Sequence, residues 1–567
     1  MKPTLLIALS STLGGIGHAL PAGSTSSPGV SGPGPTAHVR NGTYVGVTNA
    51  HYNQEFFLGI PYAQQPVGNL RFTVPQPLNS SWEGARDAKA YSDSCVGYGT
   101  DSIWYPVSEE CLTLNVIRDA SVAADSSLLP VGVWIHGGGF VMGSGADERY
   151  NMSAIVANAH RIGKPFIGVT LNYRLSAWGY LGSKEVSASG NTNLGLRDQR
   201  LALQWIQENI AAFGGDPDKV TIFGESAGGM SVGSHLIAYG GRDDGLFRGA
   251  IMESGGSINA APMNTTGYQG MYDEIVARVG CSSARDTLQC LREVPFQKLN
   301  AVFNGTWGNP AYSFWPAVDG DIIRELGSVQ LKNLDFVKVP IIAGTNTDEG
   351  TSFGPRGINT TEQWYRYLTS GASGFKVPPP IAEEILVLYP DDPSQGIPAF
   401  LGSQRIPENG YQWRRTSAYA GDYSMHANRR RQCEAWAESG TPAYCYRFNM
   451  RTAENDYLSG AGHFSEVAFV FNNIAGQGYH YGKPFAGMPP RYADLSVLMA
   501  SMWASFIHDL DPNSGIGENS DVYWEGYAVD QPVDLVFDAN VTSYMEPDTW
   551  RKEGIDFINS IAKAFWR

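Results

Sequence analysis

Short apolar runs recur along the chain, and amphipathic stretches separate several of them. The runs at 131–135, 165–171, 220–223, 249–252, 339–343 and 443–448 are typical of buried strands. Between 196 and 212, apolar residues recur at spacings of three and four, which predicts a helix lying on a sheet. This order of strand, helix and strand predicts an α/β fold with a mostly parallel central sheet and helices on both faces. Ligands of such sheets bind beyond the carboxyl ends of the strands.

The first 37 residues differ in composition from the rest of the chain. Lys2, an apolar stretch at 5–13 and small residues at 17–19 have the layout of a signal peptide, which we place at 1–19. A buried N-terminal helix is the alternative, but the Gly/Ser/Pro-rich segment at 20–37 predicts a linker and would leave such a helix without a partner. The rest, 38–567, contains no internal repeat or second linker, so we predict one catalytic domain.

Charge and hydropathy exclude two classes of partner. The chain has 40 Lys and Arg against 55 Asp and Glu, a net charge of -15 without a basic run, which argues against nucleic acid. No run after the signal peptide reaches the roughly 18 apolar residues of a membrane span, so we predict no membrane anchor. We expect a secreted, extracellular protein, and the sequence leaves its oligomeric state open.

Export changes how six cysteines are interpreted, because oxidising compartments favour disulfides and no zinc-type spacing is present. We therefore predict no metal site. Sequential pairing is our preference among many connectivities, and its third pair is the least certain: Cys95–Cys111, Cys281–Cys290 and Cys433–Cys445. Acceptor triplets for N-glycosylation begin at Asn41, Asn79, Asn151, Asn264, Asn304, Asn359 and Asn540.

A possible nucleophile follows the apolar run at 220–223. The sequence continues as Gly224-Glu225-Ser226-Ala227-Gly228, and a helical stretch begins directly after it. A Gly-x-Ser-x-Gly motif alone is a weak signal in a chain with 66 glycines, but the strand before it and the helix after it favour a nucleophile elbow. Ser226 is then the predicted nucleophile of acyl transfer, which also requires a base and donors for the oxyanion.

Oxyanion donors are predicted in a second glycine-rich segment. The run at 131–135 ends in His136-Gly137-Gly138-Gly139, where absent side chains let backbone N–H groups approach a substrate oxygen. An ordinary flexible loop is the alternative for these glycines. We predict that Gly138, Gly139 and Ala227 donate to the oxyanion.

Candidates for the acid and the base lie further along the chain. Asp348 and Glu349 follow the run at 339–343, and either carboxylate could orient a histidine. Among ten histidines, His463 follows Gly460-Ala461-Gly462 and precedes an apolar run, and the order serine, acid, histidine is typical of this kind of elbow. His508 lies in an apolar helical stretch and His480 in a Gly/Tyr-rich loop, so both have weaker settings.

With these motifs the chain resembles the type B carboxylesterase/lipase family, the cholinesterase-like and secreted fungal lipase-like α/β-hydrolases. The resemblance runs from about Thr43 to the final helices. Further matching segments are Phe57-Leu58-Gly59-Ile60-Pro61-Tyr62-Ala63, Gly68-Asn69-Leu70-Arg71-Phe72, Glu109-Glu110-Cys111-Leu112-Thr113-Leu114-Asn115, Asn172-Tyr173-Arg174 and Phe213-Gly214-Gly215-Asp216-Pro217.

The resemblance implies roles that the residues alone leave open. It selects Glu349 over Asp348 as the acid beside His463, and it implies the ion pairs Arg71–Glu109 and Arg174–Asp198. It also implies a serine carboxylic ester hydrolase that acts on a small-molecule ester and water through an acyl-enzyme, without a metal or organic cofactor.

The substrate class depends on the loop that the first predicted disulfide closes. Lipases of this family have a long amphipathic lid there, whereas the segment at 96–110 is short, which favours small or soluble esters over a lipase or sterol esterase. Trp104 or Tyr98 could stack on a substrate, although packing under the loop is the simpler interpretation. A catalytically inactive binding protein is the alternative of another class, and the complete set of site residues argues against it.

Overall fold

The computed structural model describes residues 34–124, 127–258, 264–304, 314–372, 376–517 and 521–567. The predicted signal peptide and most of the predicted linker lie outside the described residues, so both stay predictions. The strand Thr36–Val39 pairs antiparallel with Gly42–Val45, so the last two residues of the segment at 20–37 belong to a strand. Gly42–Val45 also pairs parallel with Ala85–Asp87, which completes a three-stranded sheet.

One eleven-stranded sheet forms the centre of the molecule. Its strands in chain order are β1 (Val47–Asn49), β2 (Gln54–Pro61), β3 (Thr113–Asp119), β4 (Leu129–Ile135), β5 (Ile167–Leu171), β6 (Gly215–Glu225), β7 (Gly249–Glu253), β8 (Ile341–Asn346), β9 (Ala443–Phe448), β10 (Val533–Phe537) and β11 (Tyr544–Pro547). Their order across the sheet is β1-β2-β3-β5-β4-β6-β7-β8-β9-β10-β11. Neighbours from β5 through β10 in this order pair parallel, whereas pairs at both edges are antiparallel. The predicted mostly parallel sheet is confirmed.

The register of the central strands divides the core into two layers. One row of paired residues enters the hydrophobic cluster on one side of the sheet: Val169, Val133, Ile222, Ala250 and Ile341. The next row enters a second cluster: Trp134, Phe223, Ile251 and Ile342. Because successive side chains of a strand point to opposite faces, both faces of these strands are buried, and the strands have apolar runs rather than alternating patterns.

Helices cover both faces of the sheet. The α-helices are α1 (Ser153–Arg161), α2 (Ser176–Tyr180), α3 (Lys184–Ala188), α4 (Leu194–Asn209), α5 (Ala227–Gly241), α6 (Gln269–Arg278), α7 (Thr287–Glu293), α8 (Phe296–Asn304), α9 (Gly327–Asn333), α10 (Thr361–Ser370), α11 (Pro379–Leu388), α12 (Trp413–Gly421), α13 (Ala427–Glu438), α14 (Val467–Val470), α15 (Pro490–Asp509) and α16 (Lys552–Ser560). Helices α4 and α5 contribute Leu203 and Leu236 to the first cluster, whereas α1 and α15 contribute Ile155 and Trp503 to the second. No helix among the described residues is long and apolar enough to cross a membrane.

The predicted strands all lie in this sheet, which also contains strands that the apolar pattern does not predict. Strand β3 is an example, because the polar residues Asn115 and Arg118 interrupt its apolar pattern. Both are buried with partners: the Asn115 amide donates to Thr170 Oγ1 at 3.0 Å, and Arg118 donates to the Phe213 carbonyl at 2.8 Å. Partners supplied by distant segments therefore allow a polar sequence to form a central strand.

The six cysteines form three disulfides in sequential pairs, with Cα–Cα distances of 5.0 Å for Cys95–Cys111, 5.9 Å for Cys281–Cys290 and 6.7 Å for Cys433–Cys445. The first closes the loop at 96–110. Near the end of this loop, Val107–Ser108 pairs parallel with Ser94–Cys95 in a two-stranded sheet. The third connects α13 to the central strand β9.

Candidate active site

Ser226 lies at the sharp turn between β6 and α5. Its φ of 56° and ψ of -121° fall outside the conformations that a side chain ordinarily favours, and α5 begins at the next residue, Ala227. Such a conformation costs about 1–3 kcal/mol and persists only where the surrounding structure imposes it. The turn therefore has the strained geometry of a nucleophile elbow.

Gly224 and Gly228 are required by close contact with β4. A Cβ at Gly224 would lie 2.5 Å from the Ile135 carbonyl oxygen, and a Cβ at Gly228 would lie 2.0 Å from the same oxygen. Real Cβ atoms do not approach backbone so closely, so any side chain at either position would displace the turn from the end of β4.

His463 bridges Ser226 and Glu349. Its Nε2 lies 2.9 Å from Ser226 Oγ, and its Nδ1 lies 2.6 Å from Glu349 Oε2. The second carboxylate oxygen, Oε1, accepts a hydrogen bond from the Asn346 N–H at 2.8 Å and another from the Ser254 hydroxyl. The three residues at which the sequence analysis places nucleophile, base and acid are thus joined by direct hydrogen bonds, and Glu349 is held by two further donors.

Asp348 faces the backbone of the histidine loop instead. Its Oδ2 accepts from the Ala461 N–H at 2.9 Å, while its own N–H donates to the Ala461 carbonyl at 2.9 Å. Burial raises the pKa of Asp348 to about 7. A Cβ at Gly460, whose φ is 60°, would lie 2.1 Å from Asp348 Oδ2, so this loop is fitted closely around the carboxyl group. Asp348 therefore anchors the loop that carries His463.

The glycine-rich loop after β4 runs beside Ser226. A Cβ at Gly137 would lie 3.1 Å from the Ser226 Cβ, and Gly138 and Gly139 continue with φ values of 95° and 63°. The loop begins at His136, whose carbonyl accepts from the Tyr173 hydroxyl at 2.8 Å. The structure therefore brings the glycine segment and the first turn of α5 to the same side chain, as an oxyanion hole requires.

Two further carboxyl groups surround His463, and the sequence analysis missed both. Glu225 Oε1 lies 3.2 Å from Nε2 without the alignment of a hydrogen bond, and Glu466 accepts from the Asn346 amide. Burial raises the pKa of Glu225 well above its usual value and that of Glu466 to about 7. The available signal in the sequence was their position, because Glu225 directly precedes Ser226 and Glu466 lies three residues after His463.

These charges determine the direction in which the pKa of His463 is shifted. Burial by itself would lower the pKa of His463, but the carboxylates of Glu225 and Glu349 outweigh burial and raise it above the ordinary value. Nε2 therefore accepts a proton readily, and the neutral imidazole that a general base requires becomes more abundant as pH rises.

The other histidines considered lie elsewhere. His508 is in α15 and contacts Asp509 at 2.8 Å, and the exposed His480 stacks on Trp104 with ring centroids 3.9 Å apart. Among the residues that the structure describes, no cluster of His, Cys, Asp and Glu could hold a metal ion.

Two ion pairs fasten the segments around the site. Arg71 contacts both carboxylate oxygens of Glu109 at 2.6 and 2.8 Å, and Arg174 contacts those of Asp198 at 2.8 and 2.7 Å. The pair formed by Arg71 attaches the end of the disulfide loop to the chain after β2. Both pairs agree with the family resemblance.

The disulfide loop is fixed to the body of the protein. Buried Tyr98 accepts from the Trp178 indole N–H at 2.8 Å and donates to Asn300 Oδ1 at 2.7 Å, while Asp101 contacts Arg149 at 2.5 Å. Between these attachments the loop contains only a 3₁₀ turn, Asp101–Ile103, and Trp104 remains 42% exposed. It thus contains no amphipathic α-helix comparable with a large lid.

A mostly parallel sheet with a strained serine turn at a strand end, covered by helices on both faces, defines an α/β-hydrolase. The chain belongs to the carboxylesterase family, whose family model matches residues 34–549, and it is a carboxylic ester hydrolase.

Similar proteins extend over nearly the whole chain. Lipase 4 of Diutina rugosa is 32% identical, with 94% of this chain and 97% of the relative covered. Secreted lipase 1 of Botryotinia fuckeliana is 36% identical, with 85% of each chain covered. The crystal structure of EstA from Aspergillus niger has a TM-score of 0.82 at 27% identity and covers 94% of this chain and 99% of its own.

Proposed function

We propose that this protein is a secreted carboxylesterase that hydrolyses small or soluble esters through an acyl-enzyme on Ser226. The observation that carries the mechanism is the chain of hydrogen bonds from Ser226 Oγ through His463 to Glu349, at 2.9 and 2.6 Å. A nucleophile, a base and an orienting acid in this relation are the elements of nucleophilic acyl transfer.

The acylation step follows from this geometry. His463 Nε2 takes the hydroxyl proton as Ser226 Oγ attacks the ester carbonyl carbon, and the carbonyl oxygen becomes an oxyanion. The N–H groups of Gly138, Gly139 and Ala227 stabilise this charge, and Glu349 stabilises the imidazolium through Nδ1. The tetrahedral intermediate then expels the alcohol, which takes its proton from Nε2.

Deacylation repeats these steps with water. His463 removes a proton from the water molecule while the water oxygen attacks the acyl carbon. The bond between this carbon and Ser226 Oγ then breaks as His463 returns the proton to Oγ. The carboxylic acid leaves, and the free enzyme is restored.

Secretion is supported by three independent features. The first residues have the layout of a signal peptide, and the six cysteines form disulfides, which persist in oxidising compartments. None of the seven asparagines that begin glycosylation triplets is buried. Disulfides would not persist in a reducing compartment, and exposed acceptor asparagines have a role only where N-glycosylation takes place.

Preference for small esters is supported by the short disulfide loop. A lid that exposes a lipid-binding surface needs a segment that can swing, whereas this loop is attached through Tyr98, Asp101 and Glu109. A lipase is the second candidate, because Ile103, Trp104 and Val107 expose apolar surface on the same loop and the relatives described above include proteins named lipases.

Hydrolysis of p-nitrophenyl esters from acetyl to palmitoyl separates these candidates. We expect the highest kcat/KM for short acyl chains, without a rise in rate when the substrate passes its solubility limit. Preference for long chains together with activation by emulsions would establish the lipase instead.

The variant Ser226→Ala is the control for the mechanism, and we expect its kcat to fall by about 10⁶-fold. Undiminished activity in this variant would exclude the proposed acyl-enzyme for both candidates.

A further inference from the structure

A cavity of about 460 Å³ lies between the disulfide loop and the segment that follows the histidine loop. We call it the loop cavity, and its walls include Trp104, Tyr105, Glu454, Tyr479, His480 and Tyr481. Phe464, the residue directly after His463, also lines it. The volume is within the range of about 300–1,000 Å³ that small-molecule sites occupy. The catalytic mechanism uses none of these side chains.

One wall of the loop cavity is an aromatic platform. Trp104 and His480 stack with an interplanar angle of 19°, and Tyr481 meets Trp104 edge-on with ring centroids 5.9 Å apart. Trp104 remains 42% exposed and Tyr481 79% exposed, so these rings have contact surface left. Exposed aromatic surface of this size beside a cavity is typical of a binding site.

Unsatisfied polar atoms lie on the other side. In the part of the chain that the structure describes, the Tyr479 hydroxyl and Glu454 Oε2 are buried without a hydrogen-bond partner. A buried polar atom without a partner costs about 1–3 kcal/mol. Burial also raises the pKa of Glu454 to about 7, so near neutral pH this carboxyl group can donate as well as accept. Both residues line the cavity, so rotation of these side chains toward it would let a ligand with hydroxyl groups supply the missing partners.

The charges of the cavity disfavour an anionic ligand. Asp101 and Asp147 both contact Arg149, at 2.5 and 2.6 Å, so this one guanidinium balances only one of the two carboxylates and a negative charge remains. Glu148 is exposed to solvent, where its charge is screened. The remaining carboxylate charge repels an anion, and carboxylates accept hydrogen bonds from the hydroxyl groups of a neutral ligand.

We propose that the loop cavity binds a neutral sugar and that the enzyme acts on esters that carry a sugar. A sugar ring has an apolar face of C–H groups for the platform formed by Trp104 and Tyr481. Its rim of hydroxyl groups matches Tyr479 and Glu454. This inference rests on the proposed function, and it assigns the sugar part of the substrate to a cavity that is lined by Phe464, the residue directly after His463.

Binding of methyl glycosides tests the subsite without depending on catalysis. Methyl glucoside, galactoside, mannoside and xyloside are titrated into the wild-type protein and followed by calorimetry and saturation-transfer NMR. We expect at least one glycoside to bind and its affinity to fall about tenfold in Trp104→Ala and in Tyr481→Ala. Tyr523→Ala is the matched control, because Tyr523 is similarly exposed at 66% but lies outside the cavity, and we expect no change.

A matched pair of substrates tests the consequence for catalysis. The butyryl ester of the glycoside that binds is compared with ethyl butyrate, which has the same acyl group. We expect Trp104→Ala to lower kcat/KM about tenfold for the sugar ester alone.

Failure of the subsite and failure of the proposed function are distinguishable. Absence of glycoside binding to the wild type, or binding that both variants leave unchanged, overturns the subsite whatever the activity. Binding of choline or phenol in place of every glycoside also overturns it. If glycosides bind as expected but neither butyryl ester is hydrolysed, the proposed function fails and the sugar site stands.

Discussion

The catalytic triad at the strand ends and the loop cavity differ in how firmly their side chains are held by the rest of the protein. At the strand ends, both oxygens of Glu349 have partners, and an added Cβ at Gly228 would lie 2.0 Å from backbone. In the loop cavity, Glu454 Oε2 has no partner among the described residues and Trp104 is 42% exposed. The triad is thus positioned by contacts within the protein, whereas the loop cavity has contact surface to offer to a ligand.

This difference indicates a division of labour between the sheet and its surface loops. Covalent chemistry needs side chains held within a few tenths of an ångström, which buried strand ends and close backbone contacts provide. Selection of a substrate needs a surface that can vary without disturbing that geometry, which loops provide. Changes at the strand ends should therefore affect every ester alike, and changes in the loop cavity should depend on the substrate.

After Ser226→Ala, Glu349→Gln should have the largest effect among the strand-end variants. A glutamine can offer an N–H to His463 Nδ1 and favour the wrong tautomer, so we expect kcat to fall by about 10⁴-fold for every ester tested. Asp348→Asn is the matched control at the adjacent carboxyl group, and it should retain far more activity because the amide oxygen can still accept from Ala461. Rates with short p-nitrophenyl esters and circular dichroism spectra would show this. A greater loss in Asp348→Asn would reverse the assignment of the acid.

Gly228→Ala should have the next largest effect. The new Cβ would overlap the Ile135 carbonyl and displace the serine turn, and a displacement of this kind costs about 10²-fold in kcat. Gly270→Ala is the control, because a Cβ there meets nothing within 4 Å and the residue lies in helix α6. We expect Gly270→Ala to keep full activity and an equal or slightly higher Tm. Full activity in Gly228→Ala would refute the requirement for glycine at the elbow.

Glu225→Gln should have the smallest effect, on pH dependence rather than on the maximum rate. The carboxylate of Glu225 raises the pKa of His463, so removing its charge lowers that pKa. Activity requires neutral His463, and the acidic limb of kcat/KM should therefore shift to lower pH by about one unit.

Glu253→Gln is the control for this shift. Glu253 is buried nearby but takes no part in the hydrogen bonds of His463, and its Oε1 accepts from the Trp503 indole N–H. Its acidic limb should stay in place. A shift of the Glu225→Gln limb to higher pH would contradict the proposed electrostatics.

Local demands of the backbone made much of the site predictable. Ser226 could be predicted because a tight strand-to-helix turn needs small residues at Gly224 and Gly228, which are close in the chain. Glu349 and His463 could not be predicted from a local pattern alone. Either Asp348 or Glu349 could orient a histidine, and only the family resemblance selected Glu349 as the acid. The contacts of Asp348 with Ala461 now give a physical account of its different position.

Contacts between distant segments could not be predicted in the same way. Packing under the disulfide loop is the simpler interpretation of Trp104 in sequence, and His480 has a weak setting as a base, yet the structure stacks the two rings against each other. Ser254 behind Glu349 and Glu466 beside Asn346 have ordinary surroundings in sequence, and their function depends on what the fold packs against them.

The amino-acid sequence by itself determined the family, the fold class and the central strands, and it predicted the residues of the catalytic motif, because these depend on local periodicity and on turns that tolerate few residue types. Only the tertiary structure decided which polar groups are satisfied, how the carboxyl groups shift the pKa of His463, and that a cavity lies between the disulfide loop and the segment around Tyr479. Burial and pairing arise between segments that are far apart in the chain, so no local pattern contains them.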